Sequence, residues 1–283
     1  MAGTARKLTG WRRIANAMWD APNDPQIYGS IDIDAAALEQ HVRDLRERGS
    51  RATPTHVVGR ALAFAIERVP AINVRLIAGY AVPRRSIDVF FITAVSGGGD
   101  LSGVKIERTN EKSVVVIADE LATRASAQKQ GRDPDLARTK TLMDRLPMRA
   151  LRAVMRASAF VTGDLDRGVK PLSLRAAPFG SAMVSSVGMF GLPGGFAPIA
   201  WMYRVPILVL VGEITDKPVV VDGQVVARRM LPLCATIDHR YVDGFHIAKL
   251  LKFFKTYLAD PSAHDAPTLS AAKEVSAEPI VAE

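Results

Sequence analysis

The chain has 283 residues, 48% of them apolar, with a net charge of +8, five histidines and one cysteine. That apolar share can bury a sizeable core, no apolar run reaches the about 18 residues of a membrane span, nothing in residues 1–10 resembles a secretion signal, and a single cysteine excludes an internal disulfide framework and suits a reducing cytoplasm. Five acids and one lysine after residue 259 leave a body of charge +12, which points to an anionic partner; no zinc-finger, helix-turn-helix or aromatic RNA-platform pattern supports nucleic acid, which is not expected as that partner.

The first periodic stretch, 8–20, predicts a helix with Trp11, Ile14, Ala15, Met18 and Trp19 on one face and Arg12 and Arg13 as its charges. Residues 28–33 alternate as a strand. Asp34 caps a helix over 35–48 that Gly49 stops, and Thr53-Pro54-Thr55 opens another that ends near Pro70. His41 and His56 fall on these two helices and are expected to be structural. Strands are predicted over 75–81, 86–95 and 100–106, and a helix over 113–130.

Within 139–161, Leu142, Leu146, Leu151, Val154 and Met155 recur at near-helical spacing. Arg145, Arg149, Arg152 and Arg156 form a basic stripe beside them, and Pro147 kinks or restarts the helix. Such a helix can lie on an anionic membrane surface, cover an acyl-binding groove, or pack as a surface helix with a solvated basic face. The sequence leaves all three open.

A strand and loop over 179–191 carry Ser185 and Ser186. The glycines at 188, 191, 194 and 195 match no phosphate-loop pattern. Strands follow over 207–214 and 217–221, and Asp222-Gly223 turns into a strand over 224–229. An apolar run over 230–237, with Cys234 as a small buried hydrophobe, leads to Asp238-His239-Arg240-Tyr241-Val242-Asp243-Gly244. An amphipathic helix over 245–257 comes next, and from 260 the Ala-, Pro-, Ser- and Glu-rich tail is expected to be disordered.

A histidine between a strand and a helix is held by backbone on both sides, so its ring can be aimed. An imidazole, with its ordinary pKa of about 6.5, can take and return a proton near neutral pH. Asp243, four residues on, can fold back to pair with a base or an arginine, and Gly244 permits the turn. His246 lies seven residues from His239 and makes no metal pair with it; no metal is expected.

The pattern D-H-R-x-x-D-G over 238–244 resembles the active-site signature of the acyltransferase (E2) catalytic domain of 2-oxo-acid dehydrogenase complexes. Its shorter form, H-x-x-x-D-G, marks the wider superfamily that includes chloramphenicol acetyltransferase. Three more stretches resemble that family in the same order: Trp11-Arg12-Arg13-Ile14-Ala15, Pro70-Ala71-Ile72-Asn73, and Ser185-Ser186-Val187-Gly188-Met189-Phe190-Gly191. The resemblance spans roughly residues 10–260.

It implies an α/β, chloramphenicol acetyltransferase-like two-layer sandwich, with a mixed β-sheet flanked by helices. One catalytic domain over 1–259 is expected, with an insertion at about 133–178 and a disordered tail over 260–283. It also implies a homotrimer, on which a larger cage can be built, with His239 of one subunit facing Ser185 of its neighbour. His239 would act as general base, Ser185 as oxyanion donor, and Asp243 as support, with Arg13 or Arg12 its partner. The substrates would be acyl-coenzyme A and a dihydrolipoamide-like thiol, carried on a lipoyl domain of another chain, or another small acceptor.

The chain also departs from the family. Pro25-Gln26-Ile27-Tyr28 replaces a P-H-[FY] segment, and Trp201-Met202-Tyr203-Arg204-Val205-Pro206 replaces I-N-P-P-Q, a region of subunit contact. Asp216-Lys217 is followed by Pro218 within a hairpin of the catalytic domain, so no lipoyl-lysine is expected on this chain. The alternative function is a non-catalytic E2-like trimeric scaffold, or a protein that binds a membrane or partner.

Overall fold

The computed structural model describes residues 24–95, 100–129, 147–169, 175–200 and 202–265. The helix expected over 8–20, with Arg12 and Arg13, lies outside them, as do Arg145 and the tail from 266 on.

Seven strands make one mixed sheet in the order β1-β9-β7-β6-β4-β5, with β8 paired to the outer part of β9. The strands are β1 (Gln26–Asp34), β4 (Val89–Val95), β5 (Asp100–Ile106), β6 (Ala182–Ser186), β7 (Ile207–Val211), β8 (Thr215–Val221) and β9 (Gln224–Asp238). β4, β6 and β7 run parallel and the remaining pairs antiparallel. A two-stranded hairpin, β2 (Val74–Ile77) and β3 (Tyr80–Pro83), stands apart.

The helices are α1 (Ala36–Glu47), α2 (Pro54–Glu67), α3 (Val114–Lys129), α4 (Met148–Ala159), α5 (Gly244–Ala259) and α6 (Pro261–His264). Successive strand side chains point to opposite faces, and the central strands are apolar on both. Val184, Val209, Val211, Leu233 and Ile237 join Leu62 of α2 and Leu250 and Phe254 of α5 in one core. Met183, Leu208, Leu210 and Cys234 face the other way, where Ile199 and Val205 of an irregular segment cover them. Cys234 is a buried free thiol, as expected.

Local chemistry explains the helix starts. Thr53 and His56 form a capping box at the head of α2, with Pro54 in its first turn, and Thr53 N donates to His56 Nδ1 at 3.2 Å. Burial, reinforced by Arg46, lowers His56 to about 4, so the neutral ring that accepts this bond persists at neutral pH. The chain enters β6 through Gly180, whose φ is +67° and where a Cβ would sit 2.5 Å from the Asp88 carbonyl; only glycine fits there.

Three expectations are corrected. Residues 75–81 are not one strand: Ala78 (φ 48°) and Gly79 (φ 85°) turn them into the β2–β3 hairpin. Residues 224–229 and 230–237 form a single 15-residue strand, β9. The domain does not stop at 259. Asp260 caps α6, accepting from Ala263 N at 3.1 Å, and Asp265 is only 7% exposed.

Asp265 is buried because it is satisfied. One carboxylate oxygen accepts from Val114 N at 2.7 Å and from the Tyr257 hydroxyl at 3.3 Å. The other lies 3.3 Å from His41 Nε2. Burial, then the Asp265 charge, push the Tyr257 phenol far above its ordinary pKa, which keeps it a donor. Fully buried Arg60 completes the cluster, its guanidinium 5.5 Å from the Tyr257 ring centre. Removing the carboxylate strands buried donors on three elements. Asp265→Ala is therefore expected to lower unfolding free energy by about 2–3 kcal/mol, and a chain ending at residue 259 to melt below one ending at 265; thermal and denaturant unfolding check both.

Candidate active site

The motif occupies the corner between β9 and α5. Asp238 ends the strand with its backbone N–H on the Pro206 carbonyl at 2.9 Å, and His239 N donates to Pro25 O at 2.9 Å. The corner is thus pinned to the chain entering both neighbouring strands. His239 itself is exposed.

Asp238 does more than end the strand. Its carboxylate is 4% exposed and grips Arg240 in a fork, Nε to Oδ1 at 3.0 Å and Nη2 to Oδ2 at 2.6 Å, while also accepting from Arg240 N at 3.0 Å. A bidentate charge-assisted pair of this kind fixes direction as well as position. The hydrogen bond to Asp238 raises the Arg240 pKa above its ordinary value. Tyr241 N closes the turn on the Asp238 carbonyl at 3.1 Å, and Val242 anchors it in the core. Burial raises the Tyr241 phenol, while Arg84 draws it back.

Asp243 is the N-cap of α5, accepting from His246 N at 3.0 Å and lying 2.7 Å from His246 Nδ1. These two bonds, backbone first, hold its carboxyl below the ordinary range. Among the described residues Asp243 pairs with His246 and with no arginine. Arg12 and Arg13 lie outside the described residues. Gly244 opens α5, with no atom within 4 Å of where a Cβ would stand.

Ser185 is on β6, facing the same side as Met183, away from the helices. It is half-buried, and its hydroxyl has no hydrogen-bond partner among the described residues. The sheet register places it opposite Leu210, itself opposite Cys234. His239 lies five residues beyond Cys234. At about 3.3 Å per residue and 4.8 Å per strand, the two stand about 19 Å apart within one chain. The structure brings His239, Asp243 and Gly244 together on one corner and leaves Ser185 remote from them.

Sequence reasoning left the Asp238–Arg240 fork without a role, although both residues sit inside the motif. The signal was the i, i+2 spacing of opposite charges in a turn. Among the described residues no group of histidine, cysteine and acidic side chains could hold a metal ion, and no helix is long and apolar enough to cross a membrane. On α4, which starts at Met148 with Pro147 as its N-cap, Arg149, Arg152 and Arg156 are exposed.

A mixed sheet with helices packed on one face and a histidine corner at the end of its longest strand defines a two-layer, chloramphenicol acetyltransferase-like α/β fold, the fold of E2 catalytic cores. It superposes on a probable dihydrolipoamide acetyltransferase from Listeria monocytogenes with a TM-score of 0.62 at 20% identity, over 96% of this chain and 99% of that one. The cubic core of the pyruvate dehydrogenase multienzyme complex gives a TM-score of 0.61 at 20% identity, over 93% and 94%.

The family model for the 2-oxoacid dehydrogenases acyltransferase (catalytic domain) matches residues 2–135 and 172–264, and the chain belongs to that family. Residues 136–171 fall outside the match. The dihydrolipoyllysine-residue acetyltransferase component of the Staphylococcus aureus pyruvate dehydrogenase complex is 26% identical over 266 residues, 91% of this chain and 52% of that protein. The chain thus spans about half the length of that curated relative.

Replacing Asp238 leaves Arg240 and the backbone of the turn without their common acceptor. Asp238→Ala is expected to cost about 2 kcal/mol, and Arg240→Ala less, because half of the arginine side chain is already in water. Denaturant unfolding of both variants measures the difference.

Proposed function

We propose that the chain is a coenzyme-A-dependent acyltransferase in which His239 is the general base, Ser185 the oxyanion donor and Asp243 the support of the catalytic corner. The observation that carries this reading is the exposed His239 imidazole on a corner fixed by the Asp238–Arg240 fork and the Asp243 cap. A base must be held in place yet reach solvent-borne substrate, and this one does both.

His239 takes the proton of an acceptor thiol as its sulfur attacks the thioester carbonyl of acyl-coenzyme A. The Ser185 hydroxyl, without a hydrogen-bond partner among the described residues, donates to the oxyanion of the tetrahedral intermediate. The carbon–sulfur bond to coenzyme A then breaks, and His239 returns its proton to the departing thiolate. No covalent enzyme intermediate is required.

A separation of about 19 Å along the sheet prevents His239 and Ser185 of one chain from serving the same carbonyl. We therefore assign each active site to two subunits of a homotrimer, a reading supported by similarity to an E2 core that forms a cubic assembly. The acceptor of choice is a dihydrolipoamide-like thiol on another chain, by analogy with the lipoyl-linked relatives, and the free, buried Cys234 fits a reducing cytoplasmic setting.

The test is acyl transfer from acyl-coenzyme A thioesters of rising chain length, followed by thiol release, with dihydrolipoamide, an alcohol or an amine as acceptor. His239→Ala is expected to lower the rate about 10²- to 10⁴-fold, and Ser185→Ala to lower kcat about 10²- to 10³-fold. No turnover with any pair, or a His239→Ala protein at the wild-type rate, would favour the non-catalytic scaffold.

A further inference from the structure

A concave site lies at the same end of the central strands as His239. It is a cavity of about 540 Å³ between the β2–β3 hairpin, the start of β4, the end of β5 and the chain entering β6. Five cations line it: Arg75, Arg84, Arg85, Lys105 and Arg175. Against them stand Asp88, Glu107 and Asp166, an excess of two positive charges.

The acids do not neutralise the cations evenly. Lys105 Nζ takes Asp88 at 3.4 Å and Glu107 at 3.5 Å, and Asp88 also accepts from Arg108 N at 3.0 Å. Arg75 reaches Asp166 only at 3.9 Å, and its buried Nε has no hydrogen-bond partner among the described residues. Arg84 points its guanidinium at the carbonyls of Val74 and Arg204. Arg85 and Arg175 are exposed at the rim and form no ion pair among the described residues.

One wall belongs to the segment that the family model leaves unmatched. After α4 the chain makes a π-turn, Phe160–Asp164. There the Asp164 carbonyl accepts from Arg75 Nη1 at 2.9 Å, while the Asp164 carboxylate holds Arg204 at 2.9 Å. The described end of this segment thus packs against the body and adds Asp166 to the lining. Ser181, in the lining, lies two strand spacings from Asp238 through Pro206, about 10 Å.

A volume of this size suits a small ligand, and its lining rejects apolar and cationic ones. Guanidinium forks with unused donors match phosphate oxygens, and two surplus charges match a phosphate dianion better than one carboxylate. We propose that this cavity binds a phosphate-bearing small molecule through Arg75, Arg85 and Arg175. The phosphate is either that of the acyl donor's nucleotide end or that of a free phosphate compound. Only the choice between these sources rests on the acyltransferase reading; binding does not.

The test is calorimetric titration of the full chain with pyrophosphate, adenosine 3′,5′-bisphosphate and, as a carboxylate control, succinate. The variants are Arg85→Glu with Arg175→Glu, and Arg149→Glu with Arg152→Glu on α4, which makes the same charge change elsewhere. All four residues are exposed, and equal melting temperatures confirm intact folds. The rim pair is expected to weaken pyrophosphate binding by about tenfold or more, and the α4 pair by less than about twofold.

Equal weakening by both pairs, no binding of either phosphate probe, or succinate binding as tightly as pyrophosphate would overturn the proposal. Tighter binding of adenosine 3′,5′-bisphosphate, with a raised KM for acyl-coenzyme A at unchanged kcat in the rim variant, assigns the cavity to the donor. Equal binding of both probes with KM unchanged assigns it to a free phosphate compound. A chain without turnover still reports the binding comparison, so failure of the catalytic reading is distinguishable from failure of this one.

Discussion

β9 is the constraint on which the structure depends. Its 15 residues hydrogen-bond to β8 at one end and to β1 and β7 along the rest. Because it is held on both sides and sandwiched between two apolar clusters, its register cannot slip without turning buried side chains outward. The point where it ends is therefore fixed by the core, and His239 is the next residue. Asp238 converts that endpoint into a direction, since one buried carboxylate holds both the backbone and the guanidinium of Arg240.

The same rigidity separates the two residues proposed for the chemistry. A sheet locked in register holds Ser185 two strands across and five residues along from His239, and no side-chain rotation spans about 19 Å. A single chain thus holds His239 at one end of β9 and Ser185 on β6, too far apart to serve the one site proposed for them. In the proposed homotrimer one interface, repeated around an axis, would join them at every site at once.

Much of this was legible in the residues, and what was not has physical causes. Asp222-Gly223 announced its turn because both residues suit positive φ, and Thr53-Pro54 announced α2 through cap and ring. Ala78-Gly79 did not, since alanine rarely adopts a φ of 48°; the hairpin's pairing imposes it. Asp265 looked like part of a polar tail because its partners His41, Val114 and Tyr257 are brought to it only by folding. The motif marked the corner now proposed as catalytic, yet gave Asp238 no role, because a carboxylate's burial is a property of the packed turn. The cationic cavity gathers side chains from Arg75 to Arg175, and no local pattern could join them.

The central claim is that two chains build each active site. It is tested most directly by mixing His239→Ala and Ser185→Ala proteins, each inactive alone, through dissociation and reassembly. Random assembly places a wild-type His239 opposite a wild-type Ser185 at about a quarter of the sites, so activity returning to about that fraction of wild type is the predicted result. A mixture as inactive as its two components, with reassembled trimers verified by size, would contradict the account.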